Sequence, residues 1–247
     1  MDVQHIDFTP PVIAHRGAPL CAPENSLESF IAAHQAGSRW VEADVKLTSD
    51  GIPIVFHDDT LERTTSGSGT VADTPWSIIQ RLDAGSWFSP TFSKVRVLTL
   101  FDLLSFCAKT SMRLVLELRP SPGRTRATAM VALIEASKSW GEETPPPLVS
   151  SFDMDALMIA AQLRPDWPRS LFLNEWDDNW LSMAILTQAS ALSFNETVLT
   201  PERLERINAA PFPILAHTVN NPSRAKELLG QGIKAVFSDN VSALLAS

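Results

Sequence analysis

Two apolar runs flank a turn in the stretch WVEADVKLTSDGIPIVFHDD, residues 40–59. The runs are Trp40–Val45 and Ile52–His57, and Asp50-Gly51 between them is a strong signal for a β-hairpin turn. A crossover to a parallel strand needs about a dozen residues or more, and the segment between the two runs is shorter than that. The second run is therefore predicted to fold back antiparallel on an extension of the first.

Similar short apolar runs recur along the chain and alternate with stretches of helical patterning. Eight runs are predicted to form parallel strands: Val12–His15, Trp40–Val45, Leu114–Leu118, Leu148–Ser151, Ser170–Leu173, Leu192–Asn195, Ile214–Thr218 and Ala235–Ser238. Eight strands alternating with helices in about 250 residues close a (β/α)₈ barrel with right-handed crossovers. A doubly wound open sheet is the alternative, but the GxGxxG turn that usually follows its first strand is absent from the sequence.

The predicted fold class is α/β, a single TIM-barrel domain over residues 1–247 with a small insertion after the strand-two hairpin. Residues 60–98 lack clear periodicity and are predicted to form this insertion and to cover the barrel mouth. Upstream of the hairpin, Asn25–Glu28 is predicted to be a capping box at the start of a helix. The buried face of that helix is predicted to contain Leu27, Phe30, Ile31 and His34.

Composition and charge exclude several classes of function. Hydrophobic residues make up 45% and charged residues 19%, as is typical of globular proteins. The 20 Lys and Arg against 28 Asp and Glu give a net charge of −8, which argues against nucleic acid as a partner. No apolar run approaches the roughly 18 residues of a membrane span, so no stable membrane insertion is expected.

A cytoplasmic location is also expected. The N-terminal residues do not resemble a signal peptide, and the two cysteines, Cys21 and Cys107, are expected to be reduced thiols without metal-ligand spacing. The sequence leaves the oligomeric state open.

Carboxylates occur at positions where the predicted strands should be apolar. Alternation along a strand puts Glu42 and Asp44 on one face, and Glu117 lies within the apolar run Leu114–Leu118. A buried carboxylate costs free energy unless it is paired or bound to a metal. Salt bridges inside the barrel are one solution, but a divalent cation fits three converging carboxylates better. Oxygen-only ligands favour Mg²⁺, Ca²⁺ or Mn²⁺ over Zn²⁺.

Two histidines and two arginines are predicted to lie at the same C-terminal rim, where TIM barrels carry their active sites. His15 and Arg16 follow the first strand, and the hairpin brings His57 to this rim. Arg119 follows the strand that contains Glu117. Arginine forks match phosphate oxygens, and two imidazoles near neutral pKa suit the removal of one proton and the donation of another. This set of residue types favours cleavage of a phosphodiester.

The chain resembles the glycerophosphodiester phosphodiesterase family along nearly its whole length, and its short cytoplasmic bacterial branch in particular. The main stretches that carry the resemblance are His15-Arg16-Gly17, Pro23-Glu24-Asn25, Glu42–Val45, Thr48–Gly51, His57-Asp58, Leu61–Thr65, Leu116–Pro120, Ser150-Ser151-Phe152, Thr218-Val219-Asn220 and Ser238-Asp239. The resemblance implies a (β/α)₈ barrel that hydrolyses glycerophosphodiesters to sn-glycerol 3-phosphate and an alcohol, with a divalent cation that is usually Mg²⁺ or Ca²⁺.

The resemblance also implies roles for individual residues. His15 and His57 match the acid–base pair, and Arg16 matches the phosphate-binding arginine. The positions that match the metal ligands are Glu42, Asp44 and Glu117.

Two candidate substrate-binding residues depart from the family pattern. Arg119 stands where the family usually has Lys, which keeps the charge but changes the shape of the group. His217 stands where the family often has an aromatic residue. It is expected either to line the glycerol or headgroup pocket or to pack at the end of a strand.

Several alternatives stay open on the sequence. His57 is the favoured general base, because it is predicted to lie beside Asp44, and His15 then protonates the leaving alkoxide. The two roles could be exchanged, and the nucleophile is either water or the substrate's own 2-hydroxyl. The alternative functions are the lyase chemistry of the related phospholipase D toxins, which forms a cyclic phosphate, and a non-catalytic phosphate-binding barrel. The preferred alcohol headgroup is not specified.

Overall fold

The protein is described by a computed structural model over residues 6–141 and 144–246. Its sheet consists of β1 (Val12–Ala14), β2 (Trp40–Leu47), β3 (Pro53–Val55), β4 (Arg113–Leu118), β5 (Leu148–Ser151), β6 (Arg169–Leu173), β7 (Ala191–Asn195), β8 (Ile214–His217) and β9 (Ala235–Ser238). All of these strands except β3 are parallel to their neighbours, and β1 pairs with both β9 and β2. The eight parallel strands therefore close into a barrel, and the predicted TIM-barrel fold is confirmed.

Helices lie between and after the strands, and those outside the segment 60–98 cover the outside of the barrel. They are α1 (Leu27–Gln35), α2 (Trp76–Ile79), α3 (Leu100–Thr110), α4 (Thr125–Ser139), α5 (Met154–Leu163), α6 (Trp180–Leu186), α7 (Pro201–Asn208), α8 (Pro222–Gly230) and α9 (Val241–Leu245). The start of α3 has a capping box, in which Thr99 and Asp102 satisfy each other's backbone N–H groups. Among the described helices, none combines the length and the hydrophobicity needed to cross a bilayer.

The predicted hairpin is present between β2 and β3. Val45 pairs with Val55 in antiparallel register, and the backbone N–H of Phe56 donates to the carbonyl oxygen of Asp44 at 2.9 Å. The strand that carries the acidic residues is thereby extended beyond its parallel neighbours. His57, which follows this pairing, is brought to the same rim as Asp44.

Side chains fill the inside of the barrel. Ile13, Val115 and Phe237 are completely buried in this interior cluster. Towards the N-terminal end, the ring of Phe8 packs against that of Trp40 with centroids 5.2 Å apart. The polar side chains Asp44 and Glu117 lie towards the C-terminal ends of β2 and β4, at the mouth where the active sites of TIM barrels lie.

The start and the buried face of α1 differ from the prediction. Ser26, not Asn25, is the N-cap, and its hydroxyl accepts from the backbone N–H of Ser29 at 3.2 Å. The helix buries Ser29, Phe30 and Ala33, whereas His34 is exposed. The cause is the close approach of α1 to Gly17, where an added Cβ would lie 2.3 Å from the Ser29 hydroxyl oxygen. The side of α1 that carries Ser29 therefore faces inwards.

The segment 60–98 contains short helical turns and long loops. Its apolar side chains, including Leu61, Val71 and Ile79, pack with Ile54 of β3 into a cluster separate from the main core. The segment therefore forms a small unit built on the hairpin.

Candidate active site

Three carboxylates converge at the C-terminal mouth of the barrel. Glu42 and Asp44 come from β2, and Glu117 comes from β4, where it is the direct neighbour of Asp44 in the parallel register. All three residues are buried, with at most 4% of their surface exposed, and an oxygen of each lies within 4.8 Å of an oxygen of the others. The alternation along the strands thus produces the predicted acidic cluster.

The negative charges of these three carboxylates repel one another. Burial raises the pKa of Glu42 well above its ordinary value, and the neighbouring Asp44 and Glu117 carboxylates raise it further. Burial, followed by the charge of Asp44, raises the pKa of Glu117 to about 7. Burial also acts against ionisation of Asp44, but the guanidinium of Arg16, together with the charges of His57 and Arg119 and the hydrogen bond from Asn25, outweighs it and lowers the pKa of this carboxyl.

This cluster fits a hard divalent cation. Glu42 Oε1 is buried and has no hydrogen-bond partner among the described residues, which is a costly state for an acceptor that binds nothing. The donor set is made of carboxylate oxygens alone, the chemistry that Mg²⁺, Ca²⁺ and Mn²⁺ prefer. Glu42, Asp44 and Glu117 would hold the ion.

The turn after β1 directs Arg16 into the cluster. Arg16 adopts a left-handed backbone conformation with φ of 55°, and its backbone N–H donates to Glu42 Oε2 at 2.9 Å. Its guanidinium donates to Glu24 Oε1 at 2.8 Å and lies 3.3 Å from Asp44 Oδ2. One residue therefore fixes a carboxylate with its backbone and places a positive charge at the edge of the cluster.

His15 lies on the β1 side of the carboxylates. Its Nδ1 is 2.7 Å from Asp239 Oδ1, and its Nε2 is 4.0 Å from Glu42 Oε2. Asp239 follows β9 and also accepts a hydrogen bond from Asn220 Nδ2 at 2.8 Å. This carboxylate binds the ring nitrogen that is remote from Glu42 and thereby orients the imidazole.

His57 lies on the hairpin side and has a similar partner. Its Nδ1 is 2.5 Å from Asp58 Oδ1, and Asp58 in turn accepts from Nε and Nη2 of Arg63. Arg63 also donates to both oxygens of Glu24, so one guanidinium links the His57 and Arg16 sides of the site. Burial lowers the pKa of His57 and outweighs the opposing effect of Asp44.

Arg119 connects the hairpin to β4 through hydrogen bonds. Its Nη1 donates to Glu117 Oε1 at 2.9 Å, and its Nε donates to the carbonyl oxygen of His57 at 3.1 Å. The guanidinium carbon also lies 5.9 Å from the ring centre of Phe152. The predicted arginine therefore reaches the site, where it contacts both the acidic cluster and the histidine backbone.

His217 lies deeper than the other predicted site residues. It is 7% exposed, and its ring stacks on Phe172 with centroids 5.0 Å apart. Its Nδ1 is 2.8 Å from Ser193 Oγ, and its Nε2 is 3.3 Å from Asn174 Oδ1. Burial, followed by the charge of His15, lowers the pKa of His217 to about 3, so the ring is neutral near pH 7.

Asn25 takes part in the site and not in the predicted capping box. It has φ of 55°, and its Nδ2 donates to Asp44 Oδ2 at 2.8 Å. The same signal that suggested a cap, a short polar side chain before a helix, also suits a residue that tolerates the left-handed conformation. Sequence reasoning alone assigned no role to Glu24, Asp58, Arg63, Asn220 or Asp239, although each lies in a stretch that carries the family resemblance.

A cavity of about 450 Å³ opens beside His57 and Glu117. Its lining includes Lys46, Asp59, Arg119, Phe152, Asp153 and Asn174. None of the described residues that line it belongs to the insertion 60–98, which reaches the site through Arg63.

The comparisons with known proteins agree with this arrangement. The model of the glycerophosphoryl diester phosphodiesterase family matches residues 15–243. The chain belongs to this family. It is therefore an enzyme of the glycerophosphodiester phosphodiesterase class, as the sequence resemblance predicted.

Individual members of the family are similar over nearly their whole length. A Caldanaerobacter subterraneus glycerophosphodiester phosphodiesterase is 28% identical over 238 residues, which cover 95% of this chain and 96% of that protein. YhdW of Bacillus subtilis, named provisionally as such an enzyme, is 32% identical over 92% of this chain and 93% of its own length. A phosphodiesterase from Oleispira antarctica, solved in complex with the product sn-glycerol-3-phosphate, has a TM-score of 0.93 and 36% identity, covering 96% of each chain.

Proposed function

We propose that the protein hydrolyses glycerophosphodiesters to sn-glycerol 3-phosphate and an alcohol, with a divalent cation and two histidines. The observation that carries the proposal is the convergence of three buried carboxylates between His15 and His57 at one mouth of the barrel. A phosphodiester that lies over the carboxylates would have an imidazole on either side. The substrate is accordingly a small anionic molecule.

Glu42, Asp44 and Glu117 are the proposed ligands of the cation, with Mg²⁺ preferred and Ca²⁺ or Mn²⁺ as alternatives. When bound, such an ion neutralises charge on a phosphoryl group and lowers the pKa of an oxygen that contacts it. Arg16 adds a guanidinium fork at the edge of this cluster, suited to a second phosphate oxygen. Arg119 supplies a further positive charge on the cavity side.

His57 is the proposed general base. Its lowered pKa keeps the ring unprotonated near neutral pH, as a base requires. With Nδ1–H held by Asp58, the lone pair on Nε2 is left to accept the proton of the nucleophile.

His15 is the proposed general acid. Asp239 accepts the hydrogen bond from Nδ1–H, so the proton that passes to the leaving alkoxide is carried on Nε2. Each histidine thus uses one ring nitrogen for orientation and the other for chemistry. This is the arrangement in which a carboxylate fixes the tautomer of a working imidazole.

The experiment is to incubate purified protein and Mg²⁺ with glycerophosphodiesters and to follow the products by phosphorus NMR. We expect the diester signal to be replaced directly by that of sn-glycerol 3-phosphate, which a coupled glycerol 3-phosphate assay would also report. Accumulation of a cyclic phosphate as the end product would indicate the lyase reaction instead. An unchanged diester would contradict catalysis.

A cytoplasmic location is part of the proposal. Cys21 and Cys107 are unpaired thiols, as is typical of proteins in a reducing compartment. Fractionation of the host cells is expected to recover the protein with cytoplasmic marker enzymes. Recovery with the membrane or exported fraction would contradict this assignment.

A further inference from the structure

We propose that His217 is a positioning residue for the Asn174 amide, and that this amide, together with Arg119, recognises an uncharged, hydroxyl-bearing alcohol headgroup in the cavity beside the carboxylates. This inference rests on the proposed function, because it names the headgroup that the same site accepts. It assigns to His217 an indirect role in substrate binding, exerted through a neighbouring side chain.

The hydrogen bonds between Ser193, His217 and Asn174 form a chain in which the donor and the acceptor of each bond can be assigned. The ring is neutral and carries one proton, and Asn174 Oδ1, 3.3 Å from Nε2, can only accept a hydrogen bond. The ring proton therefore lies on Nε2, and Nδ1 accepts from the hydroxyl of Ser193 at 2.8 Å. The result is a relay from Ser193 through His217 that fixes the carbonyl end of the Asn174 amide.

The ring that carries this relay is held rigidly. It stacks on Phe172 at an interplanar angle of 15° and meets the ring of Phe152 edge-on with centroids 5.6 Å apart. Asn174 follows β6 directly and lines the cavity, and its side-chain nitrogen makes no hydrogen bond to another described residue. Although Asn174 is exposed, the amide offers two N–H donors at the cavity wall, oriented by its hydrogen bond to His217.

Most charges that line the cavity are already paired within the protein, which weakens its attraction for a cationic headgroup, and the Asp58 carboxylate is held by Arg63. Lys46 pairs with Asp59 at 2.7 Å, and Arg119 pairs with Glu117 at 2.9 Å. The Asp153 carboxylate pairs with no cation among the described residues, but its oxygens are already engaged: it caps α5 by accepting from the Ala156 backbone N–H at 3.2 Å, and it accepts from the Thr125 hydroxyl at 2.7 Å.

The aromatic ring of the cavity is also unsuited to a trimethylammonium group. Quaternary ammonium ligands are recognised by aromatic faces. The ring of Phe152 already has the Arg119 guanidinium carbon at 5.9 Å, and a second cation there would meet like charge. Hydroxyl groups, by contrast, can accept from Asn174 and Arg119 without adding charge.

The test is steady-state kinetics with glycerophosphoinositol and glycerophosphocholine as paired substrates. The wild type is expected to have the higher kcat/KM for glycerophosphoinositol. Asn174→Ala should raise KM for this substrate by about 3- to 10-fold, as for one lost hydrogen bond, and should leave kcat and the KM for glycerophosphocholine nearly unchanged. Asn179→Ala is the matched control, because Asn179 is exposed in the same loop and its side chain makes no capping hydrogen bond.

The relay is tested with His217→Phe, which keeps a ring but removes both hydrogen bonds. It is expected to raise the same KM without changing kcat, and the double variant with Asn174→Ala should be no worse than the single variants. Ser193→Ala, which keeps the imidazole, is the second variant if His217→Phe fails to fold, and it should raise the same KM.

Three results would overturn the inference while the proposed function stands: a preference for glycerophosphocholine, an equal effect of Asn174→Ala on both substrates, or an unchanged KM in both relay variants. If the wild type cleaves neither diester, the proposed function fails and this inference fails with it.

Discussion

Asp239 Oδ1 lies 2.7 Å from Nδ1 of His15, although the two residues are 224 positions apart in the chain. Barrel closure produces this contact, since β9 pairs directly with β1 and both strands end at the same mouth. The contact fixes which nitrogen of His15 is available to the substrate. A carboxylate that only accepts is the natural partner of an Nδ1–H donor.

Asp239→Asn is therefore expected to lower kcat. The amide can donate to Nδ1 and so favour the wrong tautomer, which would weaken proton donation from Nε2. We expect a loss of at least about 10-fold in kcat, within the range that acid–base catalysis supplies. Stopped or continuous assays of the purified variant measure this, and a variant with wild-type kcat would remove Asp239 from the account.

The bridge made by Arg63 gives a second prediction. Arg63 connects Asp58, the partner of His57, to Glu24, the partner of Arg16. Arg63→Gln should lower kcat by about 10-fold, because small displacements of a reacting group are costly, and should leave cation affinity unchanged. Arg81→Gln, an exposed arginine of the same insertion, is the control and should retain wild-type kcat.

Cation binding can be measured without turnover. Binding of Mg²⁺ at about 100 times its Kd should stabilise the wild type by about 2.7 kcal/mol, seen as a rise in Tm. Glu42→Gln removes one of three carboxylates that repel one another, so the metal-free variant should be at least as stable as the metal-free wild type. It should nevertheless lose the rise in Tm on addition of Mg²⁺. Glu205→Gln, at an exposed position on α7, should keep it.

The same samples test cation dependence of the reaction. Chelation with EDTA should abolish turnover, and added Mg²⁺ should restore it. The assignment of Glu42, Asp44 and Glu117 as ligands would be contradicted by turnover in metal-stripped protein. It would also be contradicted if the Tm of the wild type did not change on addition of Mg²⁺.

His217 should contribute to the pH dependence of stability. Its pKa is lowered from 6.5 to about 3 in the folded protein, so between these values the unfolded chain binds a proton that the folded protein does not. Stability from the neutral ring is therefore complete above about pH 6.5 and is lost as pH falls towards 3. Between about pH 6.5 and 4.5 this loss is on the order of 2 kcal/mol.

Urea unfolding of the wild type and His217→Phe at these two pH values isolates the effect. Other groups, including His57, titrate in both proteins, so the difference between them reports His217. The wild type is expected to lose more stability on acidification. Equal losses would contradict a neutral buried imidazole at this position.

The sequence was sufficient to predict elements that depend on local patterning. Alternation along β2 placed Glu42 and Asp44 on one face, and the short Asp50-Gly51 connection predicted the antiparallel hairpin. The strand bounds mostly agree within one residue, but β2 continues to Leu47 because the hairpin supplies β3 as an extra partner beyond the predicted end.

Features that depend on packing between distant elements could not be predicted in the same way. The inward face of α1 is decided by its contact with Gly17, which lies outside the helix. The partners of the histidines, Asp239 and Asp58, were visible as motif residues, but only the closed barrel and the hairpin give them their contacts. The burial of His217 likewise follows from three aromatic rings contributed by different strands and loops.

The most direct test of the account is kcat for His15→Ala and His57→Ala in the phosphorus NMR assay, with Tm recorded to show that each variant is folded. Each substitution is expected to lower kcat by about 10²- to 10⁴-fold, the contribution of a positioned acid or base. A folded variant that turns over glycerophosphodiesters at close to the wild-type rate would contradict the role of that histidine, and two such variants would contradict the mechanism.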